Sequence, residues 1–276
     1  NGIWLTPVYE KGENGNGYVN IGPHSVDGAY YDKEAGSTAS DYSAGWQAVR
    51  EFVDYAHSKG VYVLLDIITW GVNKNATLTA EHPDWFAGES WGNTGFNWAN
   101  ADLREWFIQT CVDNILSTGA DGYRCDCEPN MSGYAMYGIV RERALRENGQ
   151  KLLIMSETVS TRRDKSGNAV YDFEQWGGVT YHDRTQDAWG NRLMENVNDT
   201  FIKHANIVDA IKTAGNDIIY ADGKHRLYIN MLSCHDNSLT CAKGNRVYMG
   251  YQALFAPFIP MWFIGEEWNN PQNMGG

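Results

Sequence analysis

Positive charge is scarce in this chain. Twenty-two lysines and arginines stand against 34 aspartates and glutamates, a net charge of −12. That balance argues against nucleic acid or an anionic membrane as partner, since both call for clustered cations. Long apolar runs are missing too, so no membrane-spanning segment is expected. The five cysteines (Cys111, Cys125, Cys127, Cys234 and Cys241) are odd in number and scattered, which is not a disulfide framework. Cys125 and Cys127 lie too close together for a zinc pair. His24, His57, His82, His182, His204 and His225 show no metal-ligand spacing. No glycine-rich phosphate turn follows the first apolar run, which removes the main support for a doubly wound nucleotide-binding sheet. Repeats and low-complexity linkers are absent.

What is present is an alternation of short apolar strands and amphipathic helices. The chain has 276 residues and 43% hydrophobic content, enough for one large domain with a substantial core. Strands are expected at Gly2–Val8, Val61–Ile68, 121–126, Leu152–Ser156, Leu227–Ser233 and Phe258–Ile264. Helices are expected at Ser43–Lys59, about 101–117, about 132–148, about 200–214 and Val247–Ala256. The near-continuous apolar strand ending near Asp66 implies burial on both faces, hence a parallel sheet. Strands alternating with helices, with polar residues at the strands' C-terminal ends, fit a (β/α)8 barrel whose site lies on that face. Eleven tryptophans and sixteen tyrosines suit a carbohydrate cleft, because sugar C–H faces stack on aromatic rings, although ordinary packing accounts for most of them.

The chemistry concentrates at three acids. In Gly122-Tyr123-Arg124-Cys125-Asp126, strand alternation puts Arg124 and Asp126 on one face. A guanidinium beside a carboxylate keeps it ionised and fixes its orientation, as a carboxylate nucleophile requires. Glu157 follows the apolar run Leu152–Met155, where partial burial suits an acid that must hold a proton. Asp236, after His235, is a third acid able to stabilise positive charge on a sugar. A single acid at a strand end is ordinarily a helix cap or a surface ion-pair partner. Three such acids, one with an arginine two residues before it, point to an enzyme. Two carboxyls about 5 Å apart are the machinery of glycosidic cleavage with retention.

These segments, in this order, resemble the α-amylase superfamily of glycoside hydrolases (family 13). Gly2 to Val8 resembles its second barrel strand and Gly60 to Asp66 its third. Gly122 to Asp126 resembles the fourth-strand motif, Met155-Ser156-Glu157 the fifth, Cys234-His235-Asp236-Asn237 the seventh, and Phe258 to Glu267 the eighth. The resemblance implies Asp126 as nucleophile, Glu157 as acid/base and Asp236 as transition-state stabiliser. It makes Arg124, His235 and Asp66 residues of the substrate cleft, with the aromatics Trp70 and Tyr31 beside them. It also implies a first strand, a last helix and a C-terminal sandwich outside this chain, as if it were cut at both ends. Where the family has an asparagine and a histidine after the third-strand aspartate, this chain has Trp70 and Gly71. The histidine's sugar contact and the asparagine's structural calcium are therefore both in question. A shifted alignment would bring Asn73 to the asparagine position. Trp70 is left either to stack on a sugar or to fill space.

The expectation is one catalytic barrel over residues 1–276 with a short inserted region at about 70–100. It would cleave α-glucosidic bonds in α-glucan or malto-oligosaccharides by double displacement, without a required cofactor. Same-fold alternatives are a transglycosylase and a disaccharide isomerase or phosphorylase. A non-catalytic carbohydrate-binding barrel is the alternative of another class. An acidic, aromatic-rich, polymer-cleaving protein points to a secreted or periplasmic location, while five cysteines without a pairing pattern point to the cytoplasm.

Overall fold

The structure is a computed structural model. It describes residues 1–13, 17–32, 41–90, 92–126, 133–156, 162–163, 169–170, 178–181, 228–231 and 259–261. The chain divides into two compact units, Asn1–Ser156 with Ser160–Gly178, and Glu157–Val159 with Val179–Gly276.

The first unit is built on four parallel strands in which β1 (Gly2–Trp4) pairs with β2 (Tyr62–Ile68). The expected strand to Val8 stops early. Leu5 still donates its N–H to Leu64 O at 3.0 Å, but Pro7 has no N–H to extend the ladder. After β2 comes an insert not legible as structure in the sequence. Strand β3 (Gly71–Asn73) and the short helix α2 (Thr77–Glu81) lead into β4 (Phe86–Ser90) and β5 (Asn93–Phe96). The three strands form a small antiparallel sheet in the order β3-β5-β4.

Beyond the insert, helix α3 (Ala101–Thr118) packs beside α1 (Ser43–Ser58). Its ends are well specified. The Asn100 side chain accepts from the N–H groups of Asp102 and Leu103, and Gly119 closes it at φ 73°. Strand β6 (Gly122–Asp126) then pairs in parallel with β2, and β7 (Leu153–Ser156), preceded by helix α4 (Gly133–Asn148), pairs in parallel with β6. The minor ladder of this unit joins β8 (Arg162–Arg163) to β9 (Ala169–Val170). In the second unit β10 (Gly178–Tyr181), β11 (Tyr228–Met231) and β12 (Ile259–Met261) pair in parallel in that order. The architecture is α/β with parallel strands. Among the described residues the ladders do not draw a closed ring, and the helices expected at 200–214 and 247–256 lie outside those residues.

The first unit's parallel strands are two-sided. Val63, Leu65, Ile67, Tyr123, Cys125 and Ile154 are fully buried in one apolar cluster. With them are Val49 and Val53 of α1 and Leu103, Phe107, Cys111 and Ile115 of α3. The opposite face carries Trp4, Asp66, Arg124 and Asp126, since side chains alternate along a strand. The sequence expectation that Cys125 points away from Asp126 into packed helices holds. Cys127 lies outside the described residues.

Strands β6 and β7 approach so closely that one position tolerates no side chain. A Cβ at Gly122 would lie 1.8 Å from Leu153 O, and its φ is +156°. Gly60, after α1, also has positive φ (+71°), but its Cβ would meet nothing within 4 Å. In denaturant melts, Gly122→Ala should therefore cost several kcal/mol or prevent folding. Gly60→Ala should cost only about 1 kcal/mol, the conformational penalty alone. Equal losses at the two positions would contradict the packing described.

Candidate active site

The register between β2 and β6 sets Asp66 beside Arg124 and Ile68 beside Asp126. Arg124 is fully buried, and its Nη1 donates to Asp126 Oδ1 at 2.6 Å and to both Asp66 oxygens at 3.0 and 3.1 Å. One cation is thus shared by two carboxylates, Asp66 at 2% exposure and Asp126 at 6%. Burial on this scale is tolerated only when charges are paired and hydrogen-bonded. The guanidinium also lies over the rings of Trp4, at 4.7 Å, and Tyr18, at 5.8 Å.

Asp66 is supported from four directions. Trp4 Nε1 and Tyr18 hydroxyl each donate to its Oδ2 at 3.1 Å, Tyr9 hydroxyl donates to its main-chain oxygen at 2.6 Å, and Arg124 supplies the charge. Burial nevertheless dominates and pushes its carboxyl up to about 7, with Arg124 pulling the other way and the neighbouring charge of Asp126 adding to the rise. Burial also raises the Tyr9 hydroxyl well above its ordinary value, so it stays a donor.

Asp126 closes β6. Its second oxygen, Oδ2, accepts from Trp70 Nε1 at 2.7 Å, and its main-chain oxygen accepts from the Thr69 hydroxyl at 2.8 Å. Trp70 thus has a role that neither sugar stacking nor space filling anticipated. The residues brought together are therefore Asp66, Trp70, Arg124 and Asp126. Tyr31 sits elsewhere, packed over the start of α1: a Cβ on Gly45 would lie 2.8 Å from its ring. Glu157, His235 and Asp236 lie outside the described residues. Trp4, Tyr9 and Tyr18 were missed as site residues. The available signal was Asp66 itself, a lone acid in an apolar strand, which demands buried donors from somewhere.

Asn73, which a shifted alignment would bring to the asparagine position, ends β3. Its Oδ1 accepts the N–H of Asn75 at 2.9 Å, and its Nδ2 reaches Glu13 O at 3.5 Å. Among the described residues no group of three or more His, Cys, Asp or Glu side chains is placed to hold a metal. Among them, too, no helix is long and apolar enough to cross a membrane.

A carboxylate held by an arginine at a strand's C-terminal end can be compared with known proteins. No protein-family model matches the sequence. Over 93 residues the chain is 26% identical to a 1,4-α-glucan branching enzyme of Corynebacterium efficiens, which is 30% of this chain and 13% of that protein. A maltogenic α-amylase of Thermotoga neapolitana superposes with a TM-score of 0.70 at 19% identity, covering 98% of this chain and 60% of that one. An α-amylase of Lactobacillus plantarum gives 0.69 at 19% identity, covering 96% and 64%. The α-amylase of Geobacillus thermoleovorans, complexed with acarbose, gives 0.67 at 18% identity, covering 99% and 63%. The chain thus spans less than two thirds of each of these proteins. Over almost its whole length it shares the fold of the solved α-amylase structures.

Proposed function

We propose that this chain carries the catalytic barrel of a retaining glycosidase acting on α-glucosidic bonds in α-glucan or malto-oligosaccharides. The observation that carries the reading is Asp126, a carboxylate at a strand's C-terminal end with one oxygen held by a buried arginine and the other by an indole. A nucleophile of this kind needs to be ionised and aimed before substrate arrives. The likeness to α-amylase folds, one of them solved with acarbose, supports the substrate class.

In the first half-reaction an Asp126 oxygen attacks the anomeric carbon, and the bond from that carbon to the leaving oxygen breaks. Glu157 gives its proton to that oxygen. In the second half, water adds to the anomeric carbon, its proton returns to Glu157, and the Asp126 carboxylate is released. The support for this pairing is the motif: Met155-Ser156-Glu157 resembles the fifth-strand segment that carries the family's acid/base. Asp236 takes the stabilising role through its family motif. A sugar acceptor in place of water would make the same site a transglycosylase, and the products distinguish the two.

Asp126→Asn should lower turnover by several orders of magnitude while leaving the protein folded. Sugar release from starch, maltotetraose, sucrose and trehalose by the full-length protein checks this. Release by the variant at the wild-type rate would end the nucleophile assignment.

Asp66 generates a second prediction. Its folded carboxyl titrates near 7, above the ordinary 3.8. Between those values the folded protein keeps a proton that the unfolded chain gives up. Its contribution to stability is therefore present below about pH 4 and lost as pH rises through about 7. Compared with Asp66→Asn, which cannot ionise, wild type should lose on the order of a few kcal/mol across that window. Chemical denaturation at several pH values measures the difference, and a pH-independent difference would exclude it.

A further inference from the structure

We propose that Trp70 is a positioning residue for the nucleophile, its indole N–H fixing the attacking oxygen of Asp126. The inference rests on the reading of Asp126 as nucleophile. A carboxylate held at one oxygen can swing about its last side-chain bond, whereas one held at both has its plane set. Here Arg124 holds Oδ1 at 2.6 Å and Trp70 holds Oδ2 at 2.7 Å. The two donors differ in kind. The arginine is a buried cation already shared with Asp66, and a charge-assisted bond ties up the oxygen it faces. The indole is neutral and donates once. Oδ2 is therefore aimed while keeping more of its electron density, and it is the oxygen left to attack.

Trp70 is itself braced. Its carbonyl accepts from Phe96 N–H at 3.2 Å, and the preceding Thr69 carbonyl accepts from Trp98 Nε1 at 3.0 Å. The Thr69 hydroxyl meanwhile binds the Asp126 main-chain oxygen. The Thr69-Trp70 pair grips Asp126 by backbone and side chain together, and the end of β5 anchors the grip. This gives the insert a task in the reaction geometry, apart from any contact with sugar.

The test is Trp70→Phe in the full-length protein, which keeps a ring and removes the N–H. The rate of covalent labelling by an activated, fluorinated α-glucosyl fluoride is followed by peptide mass spectrometry, alongside kcat and KM on maltotetraose. Wild type should label at Asp126. The variant should label about ten- to a hundredfold more slowly, with kcat falling in step and KM little changed. Labelling at the wild-type rate, or a raised KM with kcat intact, overturns the positioning role. A wild type that does not label at Asp126 overturns the nucleophile reading and this role with it. Should Trp70→Phe fail to fold, benzothienylalanine at position 70 has the indole's shape without its N–H and carries the same expectation.

Discussion

A single buried cation organises the described part of the site. Arg124 cannot give up its charge, so once folded inside it must be surrounded by acceptors. Two carboxylates and two aromatic faces meet that demand. Three strands follow from it: Trp4 on β1, Asp66 on β2 and Asp126 on β6 are all drawn to the same guanidinium or its partners. Removing an acceptor from around it would leave buried donors unsatisfied, which costs stability. The pairing is therefore a constraint on folding as much as on chemistry.

The division of labour across the sheet explains how such a polar cluster survives in a small core. On one face, aliphatic side chains and Tyr123 pack against α1 and α3 without exposed area. Even there the polar atom is satisfied, as Tyr123 hydroxyl donates to Cys111 O at 2.8 Å. The other face can then hold charges, because the first face supplies the hydrophobic stabilisation for both.

Periodicity exposed much of this arrangement in advance. The two-residue step from Arg124 to Asp126 put them on one face, and their contact is direct. The helices α1 and α3 begin and end within a residue or so of expectation, because Asn100, Gly60 and Gly119 punctuate them. Other features were out of reach of pattern. Strands β3, β4 and β5 are short, with no alternation of apolar and polar residues, so the insert reads as a loop, although Gly88 and Gly92 both turn at positive φ, +75° and +83°. Trp70's bond to Asp126 depends on how the chain bends after β2, which no spacing rule encodes. Asp66 reads as a cleft residue, yet its contacts are with protein donors, and Tyr18 reaches it from a loop without recognisable pattern.

Strand β6 is bracketed by two aspartates. Asp121, before its first residue, accepts Val63 N–H at 2.7 Å and lies 2.8 Å from His57 Nε2. Asp126, at its last residue, faces Arg124 and Trp70. The same side chain, five positions apart, joins the sheet together at one end and is held by a cation and an indole at the other. A charge-removing scan would score both as damaging, but the two injuries differ in whether they can be repaired. Loss of Asp121 is a deficit of stability that compensating changes anywhere in the molecule can restore. Under the proposed nucleophile role, loss of Asp126 would go further, since no distant gain in stability replaces an oxygen at that point in space.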